Sequence, residues 1–192
     1  MRIKIFFSII IFKLCIINFS QANDIKDFQV EGISIRDSAL NFFSQKELEE
    51  KKKKGAIYSS DDYYSATFGN KIFFKTYDYV QLHLKKNDSK YTIYSVGGQK
   101  DYGQNRIEDC YKEQNEALTE IRKFFKSAKV VRENPIPWSH DKRSMVKSTY
   151  ISLKSGDEIA LQCYDHPVEI GMNDNLTIAI DDKEFVKWLY KN

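Results

Sequence analysis

The sequence predicts an α+β domain. An antiparallel sheet of about six strands carries helices on one face, in the order αα-βββ-α-βββ-α after an N-terminal signal peptide. Three observations lead there. Two pairs of strand-forming runs are joined by the turn sequences Asn87-Asp88 and Ser155-Gly156-Asp157, and strands linked by short turns are antiparallel. Between the pairs, Asn105 to Ala128 sets Ile107, Cys110, Tyr111, Leu118, Ile121, Phe125 and Ala128 at the spacing of one helix face. Runs of hairpin-linked strands between helices, instead of strict βα alternation, gather the helices on one side of the sheet.

The elements follow in order. Phe28, Val30 and Ile33 alternate unevenly and give a short lead-in strand, and Arg36 to Phe43 reads as a short helix. Ser44-Gln45-Lys46-Glu47 spells a capping box, so a second helix starts at Gln45 and ends at Gly55. Within it Glu47, Glu49 and Glu50 stand four residues ahead of Lys51, Lys53 and Lys54, which makes the lysine run a solvated helix end. Lys71 to Tyr77 is rich in strand formers, and Tyr79 to Lys85 pairs with Lys90 to Val96 as a hairpin. After the long helix, Asn134-Pro135-Ile136-Pro137 must be extended. Met145 to Leu153 and Glu158 to Tyr164 form the second hairpin. A three-residue loop there sets Leu153 opposite Ile159 and Ile151 opposite Leu161. Leu176, Ile178 and Ile180 alternate in a last strand, and Asp181-Asp182 caps a final helix carrying Phe185, Trp188 and Leu189.

The chain has 192 residues, 30 Lys plus Arg against 27 Asp plus Glu, and a formal charge of +3. That excess sits at the start. Arg2 and Lys4 precede a mostly apolar stretch from Ile5 to Ile17, and Ser20-Gln21-Ala22 follows, the order of a secretory signal peptide cleaved after Ala22. Its apolar part reaches roughly 20 Å as a helix, short of the roughly 30 Å of a hydrocarbon core. Lys13 and Leu14 are bulky where a lipid-attachment site before Cys15 would take small residues. Residues 23–192 then form one domain, exported to the periplasm or beyond, with no stable membrane anchor once the signal is removed. Losing Arg2, Lys4 and Lys13 leaves 27 bases against 27 acids. A neutral domain with 24 Lys to 6 Arg in the whole chain has no footprint for a phosphate backbone, which excludes nucleic acid as a partner.

Several phrases of the chain, "EGISIRDSALNFFSQKELEEK", "KTYDYVQLHLKKNDSKYTIYSVGG", "IEDCYKEQNEALTEI" and "LTIAIDDKEFVKWL", resemble a group of small exported proteins of AT-rich marine alphaproteobacteria of the Pelagibacter type. The group has no assigned activity, so the resemblance implies a periplasmic address and transfers no site residues.

Beyond the signal segment two cysteines remain. Cys110 falls on the buried face of the long helix, and Cys163 is in phase with Ile159 and Leu161 on the core face of a strand. A helix lying on the sheet brings them together, and a disulfide closing some fifty residues contributes about 4 kcal/mol in the chain-entropy treatment. Cys163-x-x-His166 also has metal-ligand spacing, but no third or fourth ligand stands in a recognisable motif, and no cofactor is implied.

No phosphate-binding glycine loop, zinc-protease helix, nucleophile elbow or Cys-x-x-Cys pair occurs. No catalytic residue is therefore assigned. Two function classes remain. The first is a non-enzymatic binding or protein-interaction domain. Val80, Leu82, Leu84, Tyr91 and Ile93 share the core face of the first hairpin, leaving Tyr79, Gln81, His83, Thr92 and Tyr94 outward, a mixture suited to a peptide, glycan or protein partner. Asp61, Asp62, Tyr63 and Tyr64, expected in a nearby loop, extend it. The second is a small hydrolase or metal-dependent enzyme that brings His140 and Asp141 together with Asp165 and His166.

Overall fold

The computed structural model describes residues 25–54, 62–69 and 72–191. The expected signal peptide at 1–22, the expected helix end at Gly55 and the expected strand start at Lys71 lie outside them. The chain is α+β, with α1 (Gln45–Lys54), β1 (Tyr63–Gly69), β2 (Tyr79–Lys85), β3 (Ile93–Gly103), α2 (Ile107–Phe124), β4 (Lys129–Arg132), β5 (Ile136–Pro137), β6 (Met145–Ser152), β7 (Glu158–Asp165), β8 (Asp174–Asp181) and α3 (Lys183–Leu189). The eight strands form one antiparallel sheet in the order β1-β2-β3-β8-β7-β6-β4, with β5 also on β6.

The local signals hold where partner and period agree. The capping box closes as expected: Ser44 Oγ accepts from the Glu47 amide at 3.3 Å, and the Ser44 amide donates to the Glu47 carboxylate at 3.0 Å. Helix α2 lays Cys110, Gln114, Leu118 and Ile121 on the sheet. There they meet Leu161, Cys163, Leu176 and Ile180, all of them fully buried. Asp182 caps α3 by accepting from the Glu184 amide at 2.7 Å. On the far edge, β4 and β5 carry Lys129, Arg132 and Pro137, which discourages pairing with another chain.

Four expectations are corrected. First, the sheet has eight strands, not about six. Tyr63 and Tyr64, placed in a loop by sequence, begin β1, while residues 72–77 of the expected Lys71 to Tyr77 strand are turns, bends and irregular backbone. The physical reason is Glu31. Its carboxylate takes the backbone amides of Lys75, Thr76 and Tyr77 at 2.9, 2.6 and 2.9 Å, so these donors are not available to a ladder. Against the upward push of burial, the three amides hold that carboxyl below its usual value. Tyr77 then lies flat over Gly98, where a Cβ would come within 2.6 Å of the ring.

Second, the expected Arg36 to Phe43 helix is a single 3-10 turn at Ala39–Asn41, because Arg36 is left-handed at φ 71° and cannot continue a right-handed helix. Third, the β6–β7 hairpin does close on three loop residues, Lys154 to Gly156, with the Leu153 amide donating to the Asp157 carbonyl at 2.9 Å. The loop sits one residue earlier than expected, so Ile151 faces Ile159 and Thr149 faces Leu161. The pairs shift by two, which preserves the core face.

Fourth, the helices do not share one face. Helices α1 and α2 cover the side of Leu82, Val96 and Ile180, but α3 sits on the other side, where Phe185 stacks on His83 at 4.7 Å and packs edge-on to Tyr63 at 5.2 Å.

Cys110 and Cys163 lie at disulfide distance, with Sγ atoms 1.94 Å and Cα atoms 5.9 Å apart. The bond ties α2 to β7 in the middle of the core. Thiol titration of the denatured, unreduced protein is expected to find neither of these two thiols, and both after reductant. Two free thiols before reduction would refute the pairing.

Candidate functional site: the outer face of the sheet

The face away from α2 is built by cross-strand pairing, since residues directly opposite one another point to the same side. One row runs Tyr79, Gln99, Thr177, Gln162, Ser148 from β2 to β6. The next runs Thr67, Gln81, Gly97, Ala179, Ala160, Tyr150. A third runs Ser65, His83, Ser95, Asp181, Glu158, Ser152.

The third row lies against α3. Beside Phe185 on His83, Tyr190 donates its hydroxyl to Glu158 at 2.9 Å, and Ser152 donates to the other oxygen of the same carboxylate at 3.0 Å. Burial first, and then the Glu158 carboxylate, push the Asp181 carboxyl up to about 7 despite a hydrogen bond with Ser95. Burial also pushes the His83 imidazole down to about 4. This end of the face is closed.

The first two rows are open at their β1–β2 end, while Gln99, Thr177, Gln162, Ala179 and Tyr150 are half-buried and Gly97, Ala160 and Ser148 are buried. Tyr79 is 40% exposed, and Thr67 and Gln81 are exposed as well. Their polar tips are held by neighbours. Gln81 donates to Thr67 at 3.1 Å, Gln162 donates to Ser148 at 3.2 Å and accepts from the Tyr164 hydroxyl at 3.2 Å, and Gln99 donates to Asp101 at 2.8 Å. Gly97, Ala179 and Ala160 make a low floor between Gln81 and Tyr150. The first row thus sets amides and hydroxyls along one side of this floor, and the third row with α3 lies along the other.

Of the five outward residues expected from sequence, Tyr79 and Gln81 stand on this open part. His83 lies under Phe185. Tyr94 is the extra residue of a bulge, since His83 pairs with Ser95 and Leu84 with Ile93, and its ring packs on Tyr63 at 5.5 Å. Thr92 falls beyond that bulge, bridged to Ser38 and donating its amide to Asp88 at 3.0 Å. The continuous hairpin face is thus replaced by a wider one. Gln99, Thr177, Gln162 and Tyr150 were missed because only the strand order, with β8 between β3 and β7, brings them beside Gln81. The alternation of Leu176, Ile178 and Ile180 implied that Thr177 points outward, but not what it neighbours.

The second constellation is also partly assembled. Trp138 packs edge-on against both His140 at 5.0 Å and His166 at 5.5 Å. His166 is 2% exposed, with Nδ1 2.8 Å from the buried Ser144 hydroxyl and Nε2 3.4 Å from the Asn175 amide. Both ring nitrogens therefore face protein groups. Asp141 is gripped by Arg143 at 2.9 and 2.5 Å, which holds its carboxyl down near about 2. Burial, then the nearby Asp174 carboxylate, raises Asp165. Asp141 and His166 are each taken up by other partners. Cys163 is bonded to Cys110, and among the described residues no group of three or more His, Cys, Asp or Glu side chains is placed to hold a metal ion.

Among the described residues no helix is long and apolar enough to cross a membrane. Comparison with protein families, with curated proteins and with solved structures finds no match to this chain.

Proposed function

We propose that this chain is an exported, non-enzymatic binding domain that takes a neutral, hydroxyl-rich partner, a glycan, on the open part of its outer sheet face. The observation that carries the reading is the row Tyr79, Gln99, Thr177, Gln162 beside the low floor of Gly97, Ala179 and Ala160. Amides and hydroxyls fixed in direction match the donors and acceptors of sugar rings, and tyrosine at either side offers a ring face for stacking. The two rows themselves carry no Lys, Arg, Asp or Glu, which favours a neutral partner. A signal-like N-terminus supports the export part of the reading.

Titration with neutral oligosaccharides of glucose and of N-acetylglucosamine, followed by NMR, tests it. The side-chain amide signals of Gln81, Gln99 and Gln162 are expected to move together and saturate. The double variant Gln99→Ala, Gln162→Ala is expected to bind at least tenfold more weakly while remaining folded, with some loss of stability from the Ser148 and Tyr164 hydroxyls that Gln162 holds. Amide signals that stay fixed at millimolar sugar, or a folded double variant that binds as before, would refute the glycan reading.

A further inference from the structure

On the opposite side of the sheet, between α2 and the chain before α1, lies a cavity of about 190 Å³ with almost wholly apolar walls. Ala117 and Ile121 of α2, Ile178 and Ile180 of β8, Val30 and Tyr77 form it, and Gln29 and Glu120 stand at its rim. Protein interiors are close-packed, and voids larger than a water molecule are few. This one persists because each wall is pinned by something else. Val30 is fixed by its paired backbone bonds with Ile33 at 3.0 and 2.9 Å. The neighbouring Phe28 is wedged against Phe124 and Phe125 at 6.2 and 5.8 Å. Tyr77 is held flat on Gly98 while its amide is tied to Glu31. Ile178 and Ile180 belong to the strand at the middle of the sheet. On the face of α2 that otherwise presents Leu118 and Ile121, Ala117 is too short to fill the space.

A preformed cavity with apolar walls selects its occupant by size and by absence of charge. An apolar cavity of about 150 Å³ takes benzene, so this one has room for one ring with a small substituent or a fused second ring. We infer that the cavity bounded by Ala117, Ile121, Ile178 and Ile180 is a binding site for a small uncharged aromatic molecule, separate from the outer face. The rim residues allow such a molecule to leave one polar group at Gln29, while its ring displaces no hydrogen-bonded water from the walls.

Methyl NMR tests the inference with toluene and indole as probes. The δ1 methyls of Ile121, Ile178 and Ile180 are expected to shift selectively and to saturate, while the methyls of the exposed Leu40 and Leu189 stay fixed. Ala117→Leu fills the cavity from α2 and Val30→Leu from the opposite wall. Each is expected to raise the apparent Kd at least tenfold while keeping the native methyl spectrum elsewhere. The inference is overturned if none of the three isoleucines moves with either probe at its solubility limit. It is equally overturned if all methyls shift together without saturating, or if a folded Ala117→Leu protein binds both probes as tightly as the parent. The parent titration decides the matter even if one of the variants does not fold.

Discussion

Replacing Arg36 with Met is expected to lower the unfolding free energy by about 3–5 kcal/mol, the cost of breaking a buried ion pair from one side. Arg36 donates through Nε to Asp182 and through a terminal nitrogen to Asp157, each at 2.6 Å. Asp157 is 1% exposed, and it also receives the Lys183 amide at 2.8 Å and the Ser155 hydroxyl at 2.7 Å. Asp182 is the cap of α3. One guanidinium therefore joins the segment before α1, the β6–β7 turn and the start of α3. Removing it leaves two carboxylates facing each other in a largely buried site with hydrogen bonds but no cation. Arg36→Lys recovers only part of the loss, because a single ammonium cannot reproduce the two-pronged geometry.

The backbone supplies a control. At φ 71° Arg36 carries the steric cost of a left-handed residue, roughly 1–2 kcal/mol. Glycine does not, so Arg36→Gly should be less damaging than Arg36→Ala by about 1 kcal/mol even though both lose the ion pair. Urea denaturation of the four variants checks the order. Equal stabilities for Arg36→Met and the parent would mean that the site is solvated enough to need no counter-ion.

Arg36 also marks where sequence reading stops. Elements whose signal and partner lie within one stretch were legible: the Ser44 and Glu47 box, the period of α2, the two hairpins, the Asp182 cap, and Cys110 and Cys163 through their two phases. Elements defined by a distant partner were not. Nothing near Arg36 announces a left-handed residue held by carboxylates at 157 and 182. Lys71 to Tyr77 has the composition of a strand, yet its amides go to Glu31, more than forty residues earlier. Tyr63 and Tyr64 were hidden because β1 buries four successive residues before it alternates. The candidate face was half legible. Outward phase identified Tyr79 and Gln81, but the coverage of His83 depends on α3 crossing to that side, and the enrolment of Gln99, Thr177 and Gln162 depends on β8 inserting between β3 and β7.

The row beneath α3 is expected to give the domain two opposing pH dependences that single substitutions uncover. Asp181 has its folded pKa raised to about 7, so its contribution is complete below the unfolded value and is lost as pH rises through about 7. His83 has its folded pKa lowered to about 4. Its contribution is complete above the unfolded value, near 6.5, and is lost as pH falls through about 4. Between about pH 4 and 6.5 the two slopes have opposite sign and largely cancel. One unit of displacement corresponds to about 1.4 kcal/mol, so each group alone moves stability by up to about 3–4 kcal/mol across its window.

The groups facing them justify treating the two as the main titrating sites here. Asp181 meets Ser95 from β3, Glu158 from β7 and, through Glu158, the Tyr190 hydroxyl from the end of α3. The His83 ring lies under Phe185, with its Nδ1 shielded from solvent although the residue as a whole keeps some exposed area. Asp181→Asn keeps the shape and the Ser95 contact but has no charge to bury. Stability of that variant should rise with pH from 4 to 6.5, and above pH 8 it should exceed the parent. His83→Phe keeps the stack and should show stability falling as pH rises from 4 to 7. Carboxylates such as Glu31 and Asp88, held below their usual values by backbone amides against the upward push of burial, add the same slope to every variant and cancel in the differences. Urea unfolding at pH 4.5, 6.5 and 8.5 measures all of this. A parent and an Asp181→Asn protein with parallel profiles would mean that Asp181 stays ionised beside Glu158. The row under α3 would then have to be hydrated, and α3 itself would be an opening cover instead of a packed one.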